Sequence, residues 1–188
     1  MVRWPGLDAW RVTLSSTESA GRAKPLLGIY LNDHLAGATG GLELARRVAR
    51  SRRGTSMESD LAELVEEVGQ DRAELVRIIR TLGFSVARLK LAVAWLGEKL
   101  SRFKLNGRLL RGSPLSTLIE LEAMSLGVHG KAAGWKTLRA MCDRLPRLDA
   151  GKLEELLDRA NRQLDLLERL RTETAEEIAR ERAGGQVP

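Results

Sequence analysis

Residues 149–183 read DAGKLEELLDRANRQLDLLERLRTETAEEIARERA. Leu153, Leu157, Ala160, Leu164, Leu167, Thr174 and Ile178 recur at intervals of three, four and seven, which places them on one helical stripe. Asp149 is a capping residue at the start, and Gly184-Gly185 lies just past the end. Glu155 and Arg159, Asp158 and Arg162, and Asp165 and Arg169 stand four apart on the other faces. Each such pair supports a helix by a few tenths of a kcal/mol. With only 4% aromatics and few β-branched residues beside Leu, Ala, Arg and Glu in the chain as a whole, this stretch sets the class as all-α.

Further helices are punctuated in the same way. The first is expected from Pro25 to about Ser51, with Arg50, Arg52 and Arg53 near its negative end and Gly54 stopping it. The second starts after Thr55-Ser56 or Ser59, carries Glu58, Asp60 and Glu63 in its opening turn, and stops at Gly83. A third is expected from Ser85 to about Leu105 on the stripe Leu89, Val93, Leu96, Leu100 and Phe103. Asn106-Gly107 and Arg111-Gly112 mark the loop after it. Ser113-Pro114 opens the next helix as a cap followed by proline, and Pro146 closes the loop before residue 149. The expected architecture is a four-helix bundle with an additional crossover helix, a five-helix orthogonal bundle being the alternative. Residues 1–23, with Trp4, Trp10 and a Ser/Thr cluster, are expected as a disordered tail, 24–183 as the helical domain and 184–188 as a flexible end.

Composition narrows the function classes. In 188 residues, 43% are hydrophobic and 30% charged, which suits a globular chain rather than a disordered one. The single cysteine, Cys142, leaves no internal disulfide and no multi-cysteine zinc site. No run approaches the roughly 18 apolar residues of a membrane span, and residues 1–23 lack the apolar core of a secretory signal. The expected location is therefore cytoplasmic. The net charge of +6 is concentrated in residues 1–56 and 84–113, while 57–83 and 149–188 are net acidic. Its clusters, Arg46–Arg53 and Arg102, Lys104, Arg108 and Arg111, lie at helix ends and loops, where arginine stabilises the terminus itself. Nucleic-acid binding through these loops is the third-ranked reading, because no recognisable module or interleaved aromatics accompany them.

Interruptions of the apolar stripes mark the candidate site. His34 falls in the row Leu27, Leu31, Ala38, Leu42, Ala45 and Ala49. Asp33 falls in the adjacent row of Tyr30, Gly37, Gly41 and Leu44. Asp71 interrupts Leu64, Val68, Leu75, Ile78 and Leu82. Glu122 and His129 continue the row of Leu115, Leu118, Ile119 and Leu126. Asp33, His34, Asp71, Glu122 and His129 are thus expected inward, either pairing with arginine or backbone or holding a ligand. Gly37, Gly40 and Gly41, with Gly127, Gly130 and Gly134, each cost a helix up to about 1 kcal/mol. Close helix packing is their expected compensation, with space for a ligand as the alternative.

The run Tyr30-Leu31-Asn32-Asp33-His34-Leu35-Ala36-Gly37 resembles the opening of a group of uncharacterised bacterial helical proteins. Glu98, Lys99, Lys104, Asn106-Gly107, Leu121-Glu122, Gly127, Gly130-Lys131 and Trp135 extend the likeness over about residues 25–145. It implies no catalytic residue. The helix layout also resembles the ferritin-like superfamily, whose di-metal site implies a Glu on two helices and Glu-x-x-His on the other two. Here Leu31 and Leu126 stand three before the histidines, and Glu67-x-x-Gln70 lacks the imidazole, so the standard di-iron site is not expected. No phosphate-loop, dinucleotide, nucleophile-elbow or zinc-protease motif is present, and no cofactor is expected. The leading expectation is a non-enzymatic helical scaffold or interaction protein that pairs with itself or a helical partner. The second is a bundle with an unconventional metal or small-molecule site.

Overall fold

The computed structural model describes residues 16–86 and 113–184, with side chains from 26 to 86 and from 113 to 182. Among them are four helices and no strand: α1 (Ser16–Ser51), α2 (Glu58–Thr81), α3 (Pro114–Ala140) and α4 (Ala150–Gly184). The helix expected over 85–105 lies outside the described residues beyond Val86, as do residues 1–15 of the expected tail and residues 185–188.

The end signals act as their chemistry requires. Gly54 and Gly83 take φ of 76° and 81°, the left-handed region that glycine enters without a Cβ clash. Ser113 accepts from the Ser116 amide at 3.3 Å with Pro114 next to it, and Asp149 accepts from the Lys152 amide at 3.0 Å. Two boundaries differ from expectation. α1 begins at Ser16, so Pro25 stands inside it; proline favours a first turn but does not forbid helix upstream, and costs the bond its missing N–H would make. α2 begins without a side-chain cap at Met57. Instead Glu58 Oε2 accepts from the Gly54 amide at 2.7 Å, and Thr55 Oγ1 from the Met57 amide at 3.3 Å.

Side-chain pairs fix the helix directions. Thr39 meets Arg72 (2.9 Å) across α1 and α2. Asp60 meets Arg169 (2.9 Å), and Asp71 meets Arg159 (3.0 Å), across α2 and α4. Arg139 meets Glu154 (2.8 Å) across α3 and α4. Arg47 meets Glu120 (3.0 Å), and His34 lies against Gly134, across α1 and α3. With Leu42 against Gly69 on α1 and α2 and Lys131 bonded to Gln163 on α3 and α4, residue numbers in every helix pair rise on one helix as they fall on the other, so neighbours are antiparallel. The helices form a ring in the order α1, α2, α4, α3, the backbone of each packed against two others. It follows that α2 and α3 run the same way, and that the end of α2 and the start of α3 lie at opposite ends of the array.

Two apolar clusters fill the interior. One joins Val48, Leu61, Leu64, Leu121 and Leu167; the other joins Leu31, Leu35, Ile79, Trp135, Leu138 and Leu153. Each buried leucine or isoleucine contributes about 1.5–3 kcal/mol over an exposed one. Between the two, at the level of Asp71 on α2 and Lys131 on α3, lies a polar layer.

Candidate functional site

The polar layer is built from three helices. Asp71, 2% exposed, accepts from Lys131 Nζ at 2.5 Å, Arg159 Nη1 at 3.0 Å and Gln163 Nε2 at 3.2 Å. Gln163, 1% exposed, also donates to Glu67 Oε2 at 2.9 Å and accepts from Lys131. A carboxylate taken out of water costs several kcal/mol unless its lone pairs are filled. Asp71 is inward, as its row indicated, and the structure pairs it with two cations. Arg159 and Arg169 serve the α2 carboxylates Asp71 and Asp60, in place of the expected pairs with Glu155 and Asp165 along their own helix.

Beside this layer, between α1 and α3 and backed by α2, lies a groove of about 500 Å³. The two helices touch at His34 and Gly134 and are bridged again by Arg47 and Glu120. From His34 to Arg47, α1 rises about 20 Å at 1.5 Å per residue. Gly37 and Gly41 line the groove from α1, and Gly127 and Gly130 from α3. A Cβ placed on any of these four meets no described atom within 4 Å. Among the described residues, close packing, the expected role, is therefore not what they do; they leave space between the two helices. Gly134 is the exception. There a Cβ would stand 3.0 Å from His34 Cε1 and 3.1 Å from Nδ1.

His34 lines the groove half-buried, with Tyr30 edge-on to its ring at a centroid distance of 4.5 Å. Burial lowers its pKa below 6.5, against the opposing pull of Asp33, so the imidazole is neutral at pH 7. Lys131 also lines the groove, and burial draws its pKa below 10.5, against the opposing carboxylate of Asp71. Trp135, 2% exposed, is a third polar lining residue. Its indole N–H is buried without a hydrogen-bond partner among the described residues. An unsatisfied donor of this kind costs about 1–3 kcal/mol.

Of the five residues singled out by stripe phase, the structure brings Asp33, His34 and Asp71 to the groove, Asp33 on its exposed edge. Glu122 and His129 are a correction: both are exposed and neither lines the groove. Their row, with Leu115 (42% exposed), Ile119 (44%) and Leu126 (74%), is the outward row of α3. The inward row runs through Thr117, Leu121, Met124, Val128 and Trp135. α3 carries apolar residues on both rows, so periodicity alone does not choose the buried one. Among the described residues no three His, Cys, Asp or Glu side chains are placed to hold one metal ion. Cys142 packs against the second cluster with Sγ 3.6 Å from the Leu138 carbonyl, as a small apolar side chain. In the described basic cluster, Arg46, Arg47 and Arg52 are paired with Glu43, Glu120 and Glu177; the cluster at 102–111 lies outside the described residues.

Lys131, Arg159, Gln163 and Trp135 were not candidates from stripe phase. For Gln163 the signal was present. Leu153, Leu156, Ala160, Leu167, Leu170 and Thr174 form a seven-residue repeat, and Gln163 occupies its missing position. No described helix is long and apolar enough to cross a membrane. No family model, curated protein or solved structure matches the chain.

Proposed function

We propose that this chain is a non-enzymatic helical binding protein whose α1/α3 groove takes a small, mainly apolar molecule. The observation that carries this reading is the set of four glycines, Gly37, Gly41, Gly127 and Gly130, facing open space from two helices. Glycine inside a helix costs up to about 1 kcal/mol, and here no close contact among the described residues offsets it. A concave, largely apolar space with a few polar groups is the usual form of a small-molecule site. The four helices are read as a four-helix bundle of ferritin-like layout. What supports this is the shared direction of α2 and α3, which requires a connection along the whole bundle, the place of the proposed crossover. The groove takes the place of the di-metal site in this reading.

The test is a fluorescence titration with N-phenyl-1-naphthylamine, an uncharged apolar dye. Wild-type protein binds it saturably at one per chain. Gly127→Leu and Gly41→Leu, which fill the groove, weaken binding by about tenfold or more while thermal unfolding stays cooperative. A wild type that binds no dye, or leucine variants that bind it unchanged, overturns the reading.

A second reading, a scaffold that pairs with itself or a helical partner, is favoured by the exposed row Leu115, Ile119 and Leu126 on α3. Sedimentation of wild type beside Leu126→Glu separates it from the first: association that the glutamate abolishes supports pairing, and a monomer at every concentration removes the self-association form of it.

A further inference from the structure

The groove differs from end to end. Around Gly41, Leu44, Met124 and Gly127 its side chains offer no ionisable or hydrogen-bonding group. Polar groups gather around Lys131, Trp135 and His34. Lys131 and Trp135 stand one turn apart on α3, which makes them neighbours on one face. His34 meets the same turn from α1 through Gly134.

The donors at this end are incompletely used. An ammonium group has three N–H bonds. Asp71 Oδ2 accepts one from Lys131 and Gln163 Oε1 accepts another. The third has no partner among the described residues. The Trp135 N–H has none either, and it is closed to solvent, so water does not satisfy it. Charge is already balanced: Glu67 and Asp71 carry two negative charges, Lys131 and Arg159 two positive ones, joined directly or through Gln163. An anionic ligand group would enter beside Asp71 and Asp33 with no cation to spare. A neutral oxygen acceptor fills the open Lys131 donor without that penalty, and the Trp135 donor once the indole turns toward it.

We propose that the groove binds an uncharged, mainly apolar molecule through one oxygen acceptor of carbonyl type. The oxygen is seated against Lys131 and Trp135, and the apolar body lies in the Gly41–Gly127 half. This rests on the groove reading above and adds the ligand's chemical class. Because the Trp135 N–H is shut off in the unliganded protein, the indole shifts to meet the oxygen, and that shift is a readout.

Three probes of one shape test it: 2-acetylnaphthalene, 2-isopropylnaphthalene and 2-naphthoate, each competed against N-phenyl-1-naphthylamine. The ketone binds about tenfold tighter than the naphthoate, and its bound carbonyl stretch falls below its frequency in hexane. The Trp135 indole N–H resonance moves with the ketone and not with the hydrocarbon. Lys131→Met weakens the ketone about fivefold and the hydrocarbon by less than about twofold. The infrared and resonance measurements use wild type alone and decide the matter if Lys131→Met does not fold. Binding of ketone and hydrocarbon with an unshifted carbonyl stretch overturns the acceptor and leaves the groove reading standing. Naphthoate as the tightest ligand overturns the uncharged class. Failure of all three probes and of the dye, as when a second copy or another part of the chain fills the groove, overturns both.

Discussion

The His34 imidazole lies where a side chain on Gly134 would be, with Cε1 3.0 Å from the Cβ position. α1 and α3 therefore meet through a ring and a missing methyl group at one end of the groove, and diverge beyond it. Gly127, two turns away on α3, faces open space. Alanine stabilises a helix interior by up to about 1 kcal/mol over glycine. Gly127→Ala accordingly raises unfolding stability by about 0.5–1 kcal/mol, measured by urea titration. Gly134→Ala gives no such gain, because the imidazole, packed edge-on with Tyr30, has to move. Equal gains at both positions would contradict the contact.

His34 has a pH signature of definite sign. Burial lowers its folded pKa below 6.5, so the folded state prefers the neutral ring. Between the two values the unfolded chain binds more protons, and stability rises with pH. The contribution is fully present above pH 6.5 and is lost as pH falls from there through the folded value. Asp33, Asp71 and Lys131 line the same groove. The urea midpoint should therefore drop from about pH 7 to about pH 5 by more in wild type than in His34→Gln. A histidine resonance titrating above 6.5 for His34 would reverse the sign.

Asp71 and Asp60 both pair with arginines of α4, yet their environments differ. The Asp71 side chain is 2% exposed and carries three donors. The Asp60–Arg169 pair is 30% and 52% exposed. Asp71→Ala strands two cations inside and costs about 3–5 kcal/mol. Asp60→Ala costs about 1 kcal/mol or less and is damped further by salt. Chemical denaturation of the two variants at low and high salt checks the contrast.

Arg52, just past α1, is 7% exposed and bonds Glu177 of α4 through Nη2 at 2.5 Å, while its Nε is buried without a partner among the described residues. Removing the carboxylate leaves the guanidinium with still fewer acceptors. Glu177→Ala is expected to cost about 2–3 kcal/mol. Glu176→Ala, which breaks the surface pair with Arg180 at 4.0 Å, is expected to cost a few tenths. Thermal unfolding of the two neighbouring variants measures the difference.

The features legible in the sequence were those governed by local chemistry. Ser113-Pro114, Asp149, Gly54 and Gly83 mark helix ends because capping and positive φ involve only adjacent residues. Asp71 could be placed inward because α2 has one apolar stripe for it to interrupt. Gln163 was legible in principle, once the seven-residue repeat of α4 is followed through Leu156 and Leu170. Glu122 and His129 could not be placed, since α3 is apolar on two rows and only its neighbours select one. The same limit applies to the glycines. By itself the sequence determined an all-helical chain, its principal helix ends and a carboxylate inside it. Only the tertiary structure decided that Gly134 makes a contact while Gly37, Gly41, Gly127 and Gly130 leave a groove. Whether a missing side chain admits a neighbour or leaves space depends on how far away the facing helix lies, and that distance is set by contacts elsewhere along both helices.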